Sequence, residues 1–494
     1  MVIPSAETEV IQFAHDLIRI DTTNTGDPAT TVGEKKLALY VTDRWKEVGI
    51  KPTLIESAPG RVSVIVRIPG TNPDDPAALW HAHSDVVPAA NSSDWEYGPF
   101  AGEIRDGHLW GRGALDMKNM IAMQLAVSRE WVRKGTNPPY DVVIAIFADE
   151  EAGSLGARYL VENHPELFEG CNIAIGEVGG FSIALPNGQR VYPVMAGEKG
   201  MGWAQIRTEG NSGHSAMATE SSAILKLAST VGQVGEHTFP ISLTGTMRTF
   251  LSTVAEALKL PFNEEQEEQI LDIVHQLGAP GKFLVNSLRN TARPTVFQAG
   301  VKSNVVPAEA RGVVDCRILP GQDITEFKQL IEDLAGDEVE IEWPFFGPGW
   351  ENDSSSELRE AIESSIHAED PDALVVPYLM PASTDGYTLR RLGIDCFGFC
   401  PMRLAEDFNY MALFHGENER VPLEALKFGV RAFNRLFESY QPARTPARHG
   451  NVVAPGQGQI YMPGTLRGPF PKFHHVPGAH TPHKSSSGRT RRVC

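Results

Sequence analysis

A histidine and an aspartate two residues apart follow a short apolar stretch of the chain. Residues 77–80 come after a segment rich in proline and aspartate, which is typical of a loop that leads into a buried strand. His83 and Asp85 lie at the end of that run, and on an extended backbone their side chains point to the same side. A metal-binding histidine usually has its second ring nitrogen held by a carboxylate. His83 is therefore a candidate metal ligand, and Asp85 is a candidate for the carboxylate that orients it.

Further acidic residues and a second histidine follow other apolar runs or lie in a glycine-rich turn. They are Asp116, Asp149, Glu150, Glu151, Glu177 and His415. Taken singly, each pattern also fits a hydrogen-bonded pair or a solvated acidic turn. Open α/β sheets carry their chemistry at the carboxyl ends of strands, so we expect these side chains to converge. Two histidines with several carboxylates form a mixed nitrogen and oxygen set that suits zinc and related divalent ions.

The elements that must position these residues alternate between helix and strand. Apolar residues at helical spacing predict helices over residues 7–18, 33–48 and 120–132. A short apolar run predicts a strand over residues 62–68. Strands that alternate with helices predict an α/β fold with a mostly parallel, helix-flanked sheet.

The pattern changes after residue 199. Residues 200–319 predict strands, one helix and a long variable segment, which together indicate an inserted α+β lid domain. The catalytic domain is then expected in two parts, residues 1–199 and residues 320–440. The last stretch, residues 441–494, holds eight prolines, seven glycines and no acidic residue, which predicts a disordered basic tail.

The composition excludes several classes of protein. A net charge of −18 argues against a nucleic-acid-binding surface. No apolar run approaches the roughly 18 residues of a membrane span, and the first nine residues lack the pattern of a secretory signal. Five scattered cysteines suggest reduced thiols rather than a disulfide framework. We therefore expect a cytoplasmic protein without a nucleic-acid or membrane partner.

Three motifs follow one another along the predicted catalytic domain. They are His-x-Asp-x-Val-Pro at residues 83–88, Gly-Arg-Gly-x-x-Asp-Met-Lys at residues 111–118 and Asp-Glu-Glu-x-Gly-Ser at residues 149–154. With these motifs the chain resembles the dinuclear-zinc exopeptidases and amidohydrolases that include aminoacylase, carboxypeptidase G, carboxypeptidase S and succinyl-diaminopimelate desuccinylase. The resemblance spans about residues 11–437. It implies the zinc-exopeptidase type of α/β fold, with a lid that also serves for dimerisation.

The resemblance implies a site with two Zn²⁺ ions, for which Co²⁺ or Mn²⁺ are possible substitutes. Asp116 is then the carboxylate that bridges the two ions. His83 and Glu177 are expected on one ion, and Glu151 and His415 on the other. A hydroxide between the two ions is the implied nucleophile.

The resemblance also implies roles beside the metal ions. Glu150 is expected to be the general base, which takes a proton from water and gives it to the leaving amine. Asp85 is expected to fix the tautomer of His83. Members of the family carry a cis peptide bond after the bridging aspartate, which corresponds here to Asp116-Met117.

The lid is expected to supply the remaining contacts with the substrate. His214 matches the family's Gly-His-Ser motif, whose histidine donates to the developing oxyanion. Asn304 and Arg317 match segments that hold the substrate's free carboxylate, although a surface salt bridge is an alternative for Arg317. Residues 383–386 fall where relatives contact the substrate, but their order departs from the family's. The single lid implies a homodimer in which His214 acts on the neighbouring subunit's site.

These inferences together indicate an enzyme. We expect zinc-dependent hydrolysis of an amide or peptide bond adjacent to a free carboxylate, in a dipeptide, a peptide C-terminus or an N-acyl amino acid. The same residues serve a dipeptidase, a carboxypeptidase and an N-acyl-amino-acid deacylase, so the sequence leaves the choice open. A catalytically inactive relative that only binds its ligand is the alternative of another class.

Overall fold

The computed structural model describes residues 4–72, 74–217, 221–353 and 357–442. The predicted disordered tail at residues 441–494 therefore lies outside the described residues, except for its first two positions. The predicted helices and strands named above are confirmed to within a few residues at each end.

The described part of the chain contains helices α1 to α13 and strands β1 to β20. The first elements are α1 (Ala6–Ile18), α2 (Lys35–Lys46), β1 (Thr53–Ala58), β2 (Arg61–Ile68), β3 (Ala77–His83), β4 (Glu103–Arg105), β5 (His108–Trp110), α3 (Lys118–Lys134), β6 (Val142–Phe147), α4 (Leu155–Asn163), β7 (Cys171–Gly176), β8 (Ile183–Ala184) and β9 (Arg190–Glu198). The middle elements are β10 (Gly200–Glu209), β11 (Gly213–His214), α5 (Ala223–Glu236), α6 (Gly245–Leu258), α7 (Glu267–His275), α8 (Ala279–Leu284), β12 (Thr291–Ala299), β13 (Val305–Val306), β14 (Glu309–Ile318), α9 (Ile324–Ala335), β15 (Glu340–Glu342) and β16 (Phe346–Gly347). The last elements are β17 (Trp350–Glu351), α10 (Glu357–His367), β18 (Leu374–Met380), α11 (Asp385–Leu389), β19 (Asp395–Gly398), α12 (Tyr410–Leu413), β20 (Arg420–Pro422) and α13 (Leu423–Ser439).

A ten-stranded sheet forms the larger body of the molecule. Its main path runs β1-β2-β6-β3-β7-β19-β9-β17, and β8 and β18 also pair with β9. The central pairs β6/β3, β3/β7 and β7/β19 are parallel. Strands β3 and β6 are buried along their whole length because helices cover both faces of the sheet. The expected α/β fold with a largely parallel central sheet is confirmed.

The smaller body begins with β10 at residue 200 and is named the lid after the domain that the sequence predicts there. Its antiparallel sheet runs β12-β14-β10-β15, and β16 also pairs with β10. Burial alternates along β10, so one face of this sheet packs on helices α5 and α9 while the other stays open.

Side-chain packing departs from the predicted domain boundaries in two places. Phe327 and Ile331 of α9 belong to the core of the lid, so the lid extends past residue 319 as far as β16. Met247 and Phe250 of α6, with Ile270 of α7, belong to the core of the large body although they fall within residues 200–319. Apolar spacing shows that a helix has a buried face, but it does not show which sheet covers that face.

Candidate metal centre

Three neighbouring parallel strands bring the predicted ligands to one edge of the large sheet. Strand β3 ends at His83, β6 ends two residues before Asp149, and β7 ends directly before Glu177. The spatial order β6-β3-β7 places these ends side by side.

The turn before α3 adds Asp116 to this edge. Its peptide bond to Met117 is cis, as the resemblance implies. The buried carboxylate of Glu419 accepts hydrogen bonds from the amides of Gly113, Leu115 and Asp116 at 2.6 to 3.1 Å. Glu419 therefore fixes the shape of the turn, a role for which the sequence offered no local signal.

Both oxygens of the Asp116 carboxylate face a histidine. Oδ1 lies 2.9 Å from Nε2 of His83, and Oδ2 lies 2.8 Å from Nε2 of His415. Each histidine also lies near a second carboxylate, with Glu177 Oε2 at 3.5 Å from His83 and Glu151 Oε1 at 3.4 Å from His415. The structure thus brings all five predicted ligands together as two groups that share Asp116.

The two groups fit divalent metal ions. Two ligand atoms of a tetrahedral zinc ion lie about 3.4 Å apart, which is close to the separations of these nitrogen and oxygen atoms. The buried Oε1 of Glu151 has, within the described part of the chain, no partner of good hydrogen-bond geometry besides the 3.4 Å contact with His415, as expected of an atom whose partner is an ion. The donor set of two imidazoles and three carboxylates suits zinc and its neighbours among the divalent metals.

The close packing of acids and histidines shifts the pKa values of the cluster. Burial opposes charge on His415, but hydrogen bonds to Asp116 and Glu151 outweigh it and raise the pKa of His415 to about 10. Burial also opposes charge on His83, but its hydrogen bond to Asp116 and the charge of Asp116 outweigh burial and raise the pKa of His83 well above its usual value. Burial and the charge of Asp116 raise the pKa of Glu151 to about 7.

Glu150 lies beside the ligands without belonging to the two groups. Its carboxylate is within 4.8 Å of ligand atoms of His83 and Glu151. Burial, followed by the charge of Glu177, raises the pKa of Glu150 well above that of an ordinary glutamate. A carboxyl group with a raised pKa holds a proton more readily than an ordinary glutamate does, which suits a group that accepts and returns a proton.

Asp85 supports the site in a way that differs in part from the expectation. Nδ1 of His83 lies 3.1 Å from the backbone carbonyl oxygen of Asp85 and 3.6 Å from its carboxylate. The carboxylate instead accepts hydrogen bonds from the amides of Glu150 and Glu151 at 3.0 and 3.1 Å. Asp85 therefore ties the acidic turn to the end of β3.

A buried polar network behind Asp85 was not predicted. The side chain of Asn24 donates hydrogen bonds of 2.8 Å to both Asp85 and Asp149. Asp149 also pairs with Arg61, whose guanidinium lies 2.8 Å from Glu34. Burial raises the pKa of Glu34 to about 8. These residues come from separate parts of the chain, and no spacing pattern connects them.

Asp385 was singled out only as part of a segment that departs from the family's order. It is buried at the start of α11, and burial with the charge of Glu177 raises its pKa to about 8. The neighbouring Thr384 donates a hydrogen bond to the buried carboxylate of Glu198. This segment packs behind the metal cluster.

The three predicted lid residues form no hydrogen bond or ion pair with the metal cluster in the described part of the chain. His214 is exposed on β11, opposite Val305 of β13, and the carbonyl of Asn304 accepts a hydrogen bond of 3.1 Å from Ser215. His214 and Asn304 are therefore neighbours. Arg317 lies on β14 and makes a two-pronged contact with Asp315 at 2.7 and 3.0 Å.

Comparison with known sequences places these features in a family. Residues 79–439 match peptidase family M20/M25/M40. The human N-fatty-acyl-amino acid synthase/hydrolase PM20D1 is 27% identical over 406 residues, which cover 78% of each chain. Rat aminoacylase-1A is 26% identical over 419 residues, which cover 83% of this chain and 91% of the relative.

Solved structures share the fold. The M20 family metallo-carboxypeptidase Sso-CP2 of Sulfolobus solfataricus superposes with a TM-score of 0.66 at 18% identity, over 87% of this chain and 99% of that chain. A dinuclear metal-binding M20 peptidase of Bacillus subtilis superposes with a TM-score of 0.54 at 14% identity, over 87% and 97% of the two chains. Among the described residues, no helix has both the length and the apolar character that a membrane crossing requires.

Proposed function

The chain belongs to peptidase family M20/M25/M40, and from this we propose that it hydrolyses an amide bond next to a free carboxylate at two zinc ions. Metal-dependent hydrolysis of amide or peptide bonds is the chemistry of this family, and the chain is a hydrolase of that kind. One observation carries the proposal for the site. The two oxygens of buried Asp116 face one histidine each, which is the arrangement of a carboxylate that bridges two ions.

The chain's own residues have distinct tasks in this proposal. His83 and Glu177 would hold one ion, Glu151 and His415 would hold the other, and Asp116 would serve both. When bound, the two ions polarise the scissile carbonyl group and lower the pKa of water at the site. The Glu150 carboxylate receives the proton of the attacking water and delivers it to the leaving amine nitrogen.

The zinc ions themselves are a proposal supported by the donor set. Imidazole nitrogen and carboxylate oxygen bind zinc well, and Co²⁺ or Mn²⁺ can occupy the same kind of site. Metal content of the purified protein by mass spectrometry tests this choice. A protein isolated with a stoichiometric metal other than these three contradicts it.

The substrate is a small molecule with a free carboxylate, either a short peptide or an N-acyl amino acid. The exposed Asn304 and His214 lie together on the lid, where they are available to a substrate. Arg317 already uses its Nε and one terminal nitrogen to pair with Asp315, so a variant at Arg317 tests its role separately.

A matched substrate panel tests this proposal. We expect hydrolysis of dipeptides or N-acyl amino acids and loss of hydrolysis when the free carboxylate is replaced by a carboxamide. Preference for N-acyl amino acids over dipeptides identifies a deacylase, and the reverse identifies a peptidase. No hydrolysis of either class by the zinc-loaded protein supports an inactive binding relative, and equal hydrolysis of the carboxamides contradicts the carboxylate requirement.

We further propose a homodimer through the lid, with His214 completing the site of the neighbouring subunit. Side chains around His214 are apolar and exposed, with exposed fractions of 71% for Met217, 69% for Val301 and 44% for Val305, and a second subunit would cover them. Glu150→Ala and His214→Ala should each be nearly inactive alone. Mixed and allowed to exchange, they should recover about a quarter of the wild-type activity, because half the dimers then carry one intact site. No recovery in a mixture that has exchanged subunits contradicts action across the dimer.

We propose that the protein works in the cytoplasm. The four cysteines within the described residues are free, which fits a reducing compartment. Fractionation of the source cells with antibody detection tests this, and recovery outside the cytoplasm contradicts it.

A further inference from the structure

The residue after the proposed ligand Glu177 has an unusual backbone conformation. Val178 has a φ of 60°, which lies in the left-handed region. A β-branched side chain is rarely found there, because its two γ carbons meet the backbone. Such a conformation costs free energy and persists only when the surroundings hold it.

A tyrosine far along the chain holds this turn. The hydroxyl of Tyr378, on β18, donates a hydrogen bond of 2.9 Å to the carbonyl oxygen of Val178. Tyr378 is only 1% exposed, so water does not compete for this contact. The carbonyl lies beyond the end of β7, where it has left the sheet's hydrogen-bond ladder.

The rest of the turn is packed against β19 and its continuation. A β carbon added at Gly398 would lie 2.1 Å from the carbonyl oxygen of Glu177 and 2.5 Å from that of Val178. Beyond the strand, Cys400 donates a backbone hydrogen bond of 2.8 Å to Gly179. The turn is therefore fixed on both sides of the Val178 carbonyl, and the carbonyl itself is fixed by Tyr378.

The turn sets the direction of the Glu177 side chain. Rotation of Val178 out of the left-handed region would swing the peptide plane that joins it to Glu177. The Glu177 carboxylate lies 3.5 Å from Nε2 of His83, a separation that a small swing at the backbone would lose. Residues that orient metal ligands typically change metal affinity by 10- to 100-fold when altered.

We propose that Tyr378 is a positioning residue for the metal centre, whose hydroxyl holds the left-handed Val178 turn and thereby aims Glu177 at the ion beside His83. This inference rests on the proposed role of Glu177 as a metal ligand. The competing explanation is that Tyr378 is a core phenol with a satisfied hydroxyl, and that burial of the Val178 side chain and the backbone contacts hold the turn without it.

The test compares two tyrosines that each lose only a hydroxyl. Tyr192 is the matched control, because it is fully buried in the same core and its hydroxyl bonds to Asp370 rather than to the site. Zn²⁺ affinity is measured on the full chain by competition with a chromophoric chelator, and melting temperature is measured in parallel. Tyr378→Phe should weaken binding of one of the two ions by about 10-fold or more, whereas Tyr192→Phe should bind both as the wild type does.

A second variant tests whether Tyr378 acts through the Val178 turn or only through packing in the core. Glycine adopts a φ of 60° without strain, so Val178→Gly removes the need for a hydrogen bond that holds the turn. The double variant Val178→Gly/Tyr378→Phe should therefore bind Zn²⁺ more tightly than Tyr378→Phe alone. It also serves as the test protein if Tyr378→Phe does not fold, since recovery of folding then supports the same coupling. A double variant no better than Tyr378→Phe overturns the inference.

Glu177→Gln keeps this inference distinct from the proposed function. If Glu177→Gln binds two Zn²⁺ ions with wild-type affinity, the ligand role of Glu177 fails, and the inference fails with it. If Glu177→Gln loses an ion while Tyr378→Phe matches Tyr192→Phe, the ligand role stands and the positioning role of Tyr378 alone is overturned.

Discussion

Metal binding to this site should release protons. The number released depends on the pKa values of its histidines, which are raised by their contacts with carboxylates. Hydrogen bonds to Asp116 and Glu151 outweigh burial and raise the pKa of His415 to about 10. Burial lowers the pKa of His83 as well, but the contact with Asp116 outweighs burial and raises this pKa well above its usual value. A nitrogen that binds a metal ion has lost its proton, so His415 should release one proton when zinc binds at pH 8, and His83 should add to that number below its own raised pKa.

The sign and size of the pH dependence follow from these shifts. Protons compete with the metal, so affinity is highest above the raised pKa values and falls as the pH falls through them. The proton lost from His415 makes the combined binding constant of the two ions rise about 10-fold per pH unit between pH 7 and pH 9, and the proton of His83 steepens the rise below its own raised pKa. Burial and the charge of Asp116 raise the pKa of Glu151 to about 7, so Glu151 should add about one more proton below that pH.

Titration calorimetry measures this number directly. Metal-free protein is titrated with Zn²⁺ at one pH in buffers of different ionisation enthalpy, and the slope of the observed heat gives the protons released. We expect at least one proton at pH 8 and about one more at pH 6.

Two variants sharpen the measurement. His415→Ala should lower the count by one. His81→Asn is the matched control, because burial and the nearby charge of His83 lower the pKa of His81 to about 3 and leave it no proton to release. Release of no protons, or a count that is the same at both pH values and in His415→Ala, would refute this account of the cluster.

Three further predictions follow from the site and its surroundings. Glu150→Gln should lower kcat by at least about 100-fold with metal content unchanged, and loss of metal in that variant would show that Glu150 is a ligand. A chelator should abolish hydrolysis and added Zn²⁺ or Co²⁺ should restore it, while full activity of verified metal-free protein would contradict the metal-dependent mechanism. Arg61→Met leaves Glu34 and Asp149 buried without their cation and should lower the free energy of unfolding by about 3–5 kcal/mol in urea titrations. Arg248→Met breaks an exposed pair with Glu264 and should cost less than about 1 kcal/mol, so equal losses in the two variants would contradict the importance of burial.

The proposed ligands could be recognised as candidates in the sequence because four of the five follow an apolar run and the fifth lies in a glycine-rich turn. Strand ends in a parallel sheet meet at one edge, so residue type and position along the chain are enough to bring His83, Glu151 and Glu177 together. Asp116 and the more distant His415 were also candidates from the sequence pattern, but the assignment of all five residues to two ions came from the family resemblance.

The supporting network could not be predicted in the same way. Asn24, Arg61 and Glu34 meet only because of how the loop after α1, the start of α2 and strand β2 pack, and that packing leaves no local spacing pattern. Arg317 is different, because its partner Asp315 is two positions away on one strand. Side chains at i and i+2 lie on one face of a strand, so the sequence already contained the signal for this pair.

The order of strands in the large sheet has a consequence for how the protein is made. Strand β19 lies between β7 and β9, although the chain reaches it only after the whole lid. While the ribosome is still adding residues 200–394, the growing chain holds β7 and β9 with open edges, which are the surfaces through which chains aggregate. The second histidine of the metal centre emerges later still, at residue 415. Loading of the ion that His415 would hold is therefore among the last events of biogenesis, and a chain cut short after the lid has neither a closed sheet nor a complete set of ligands.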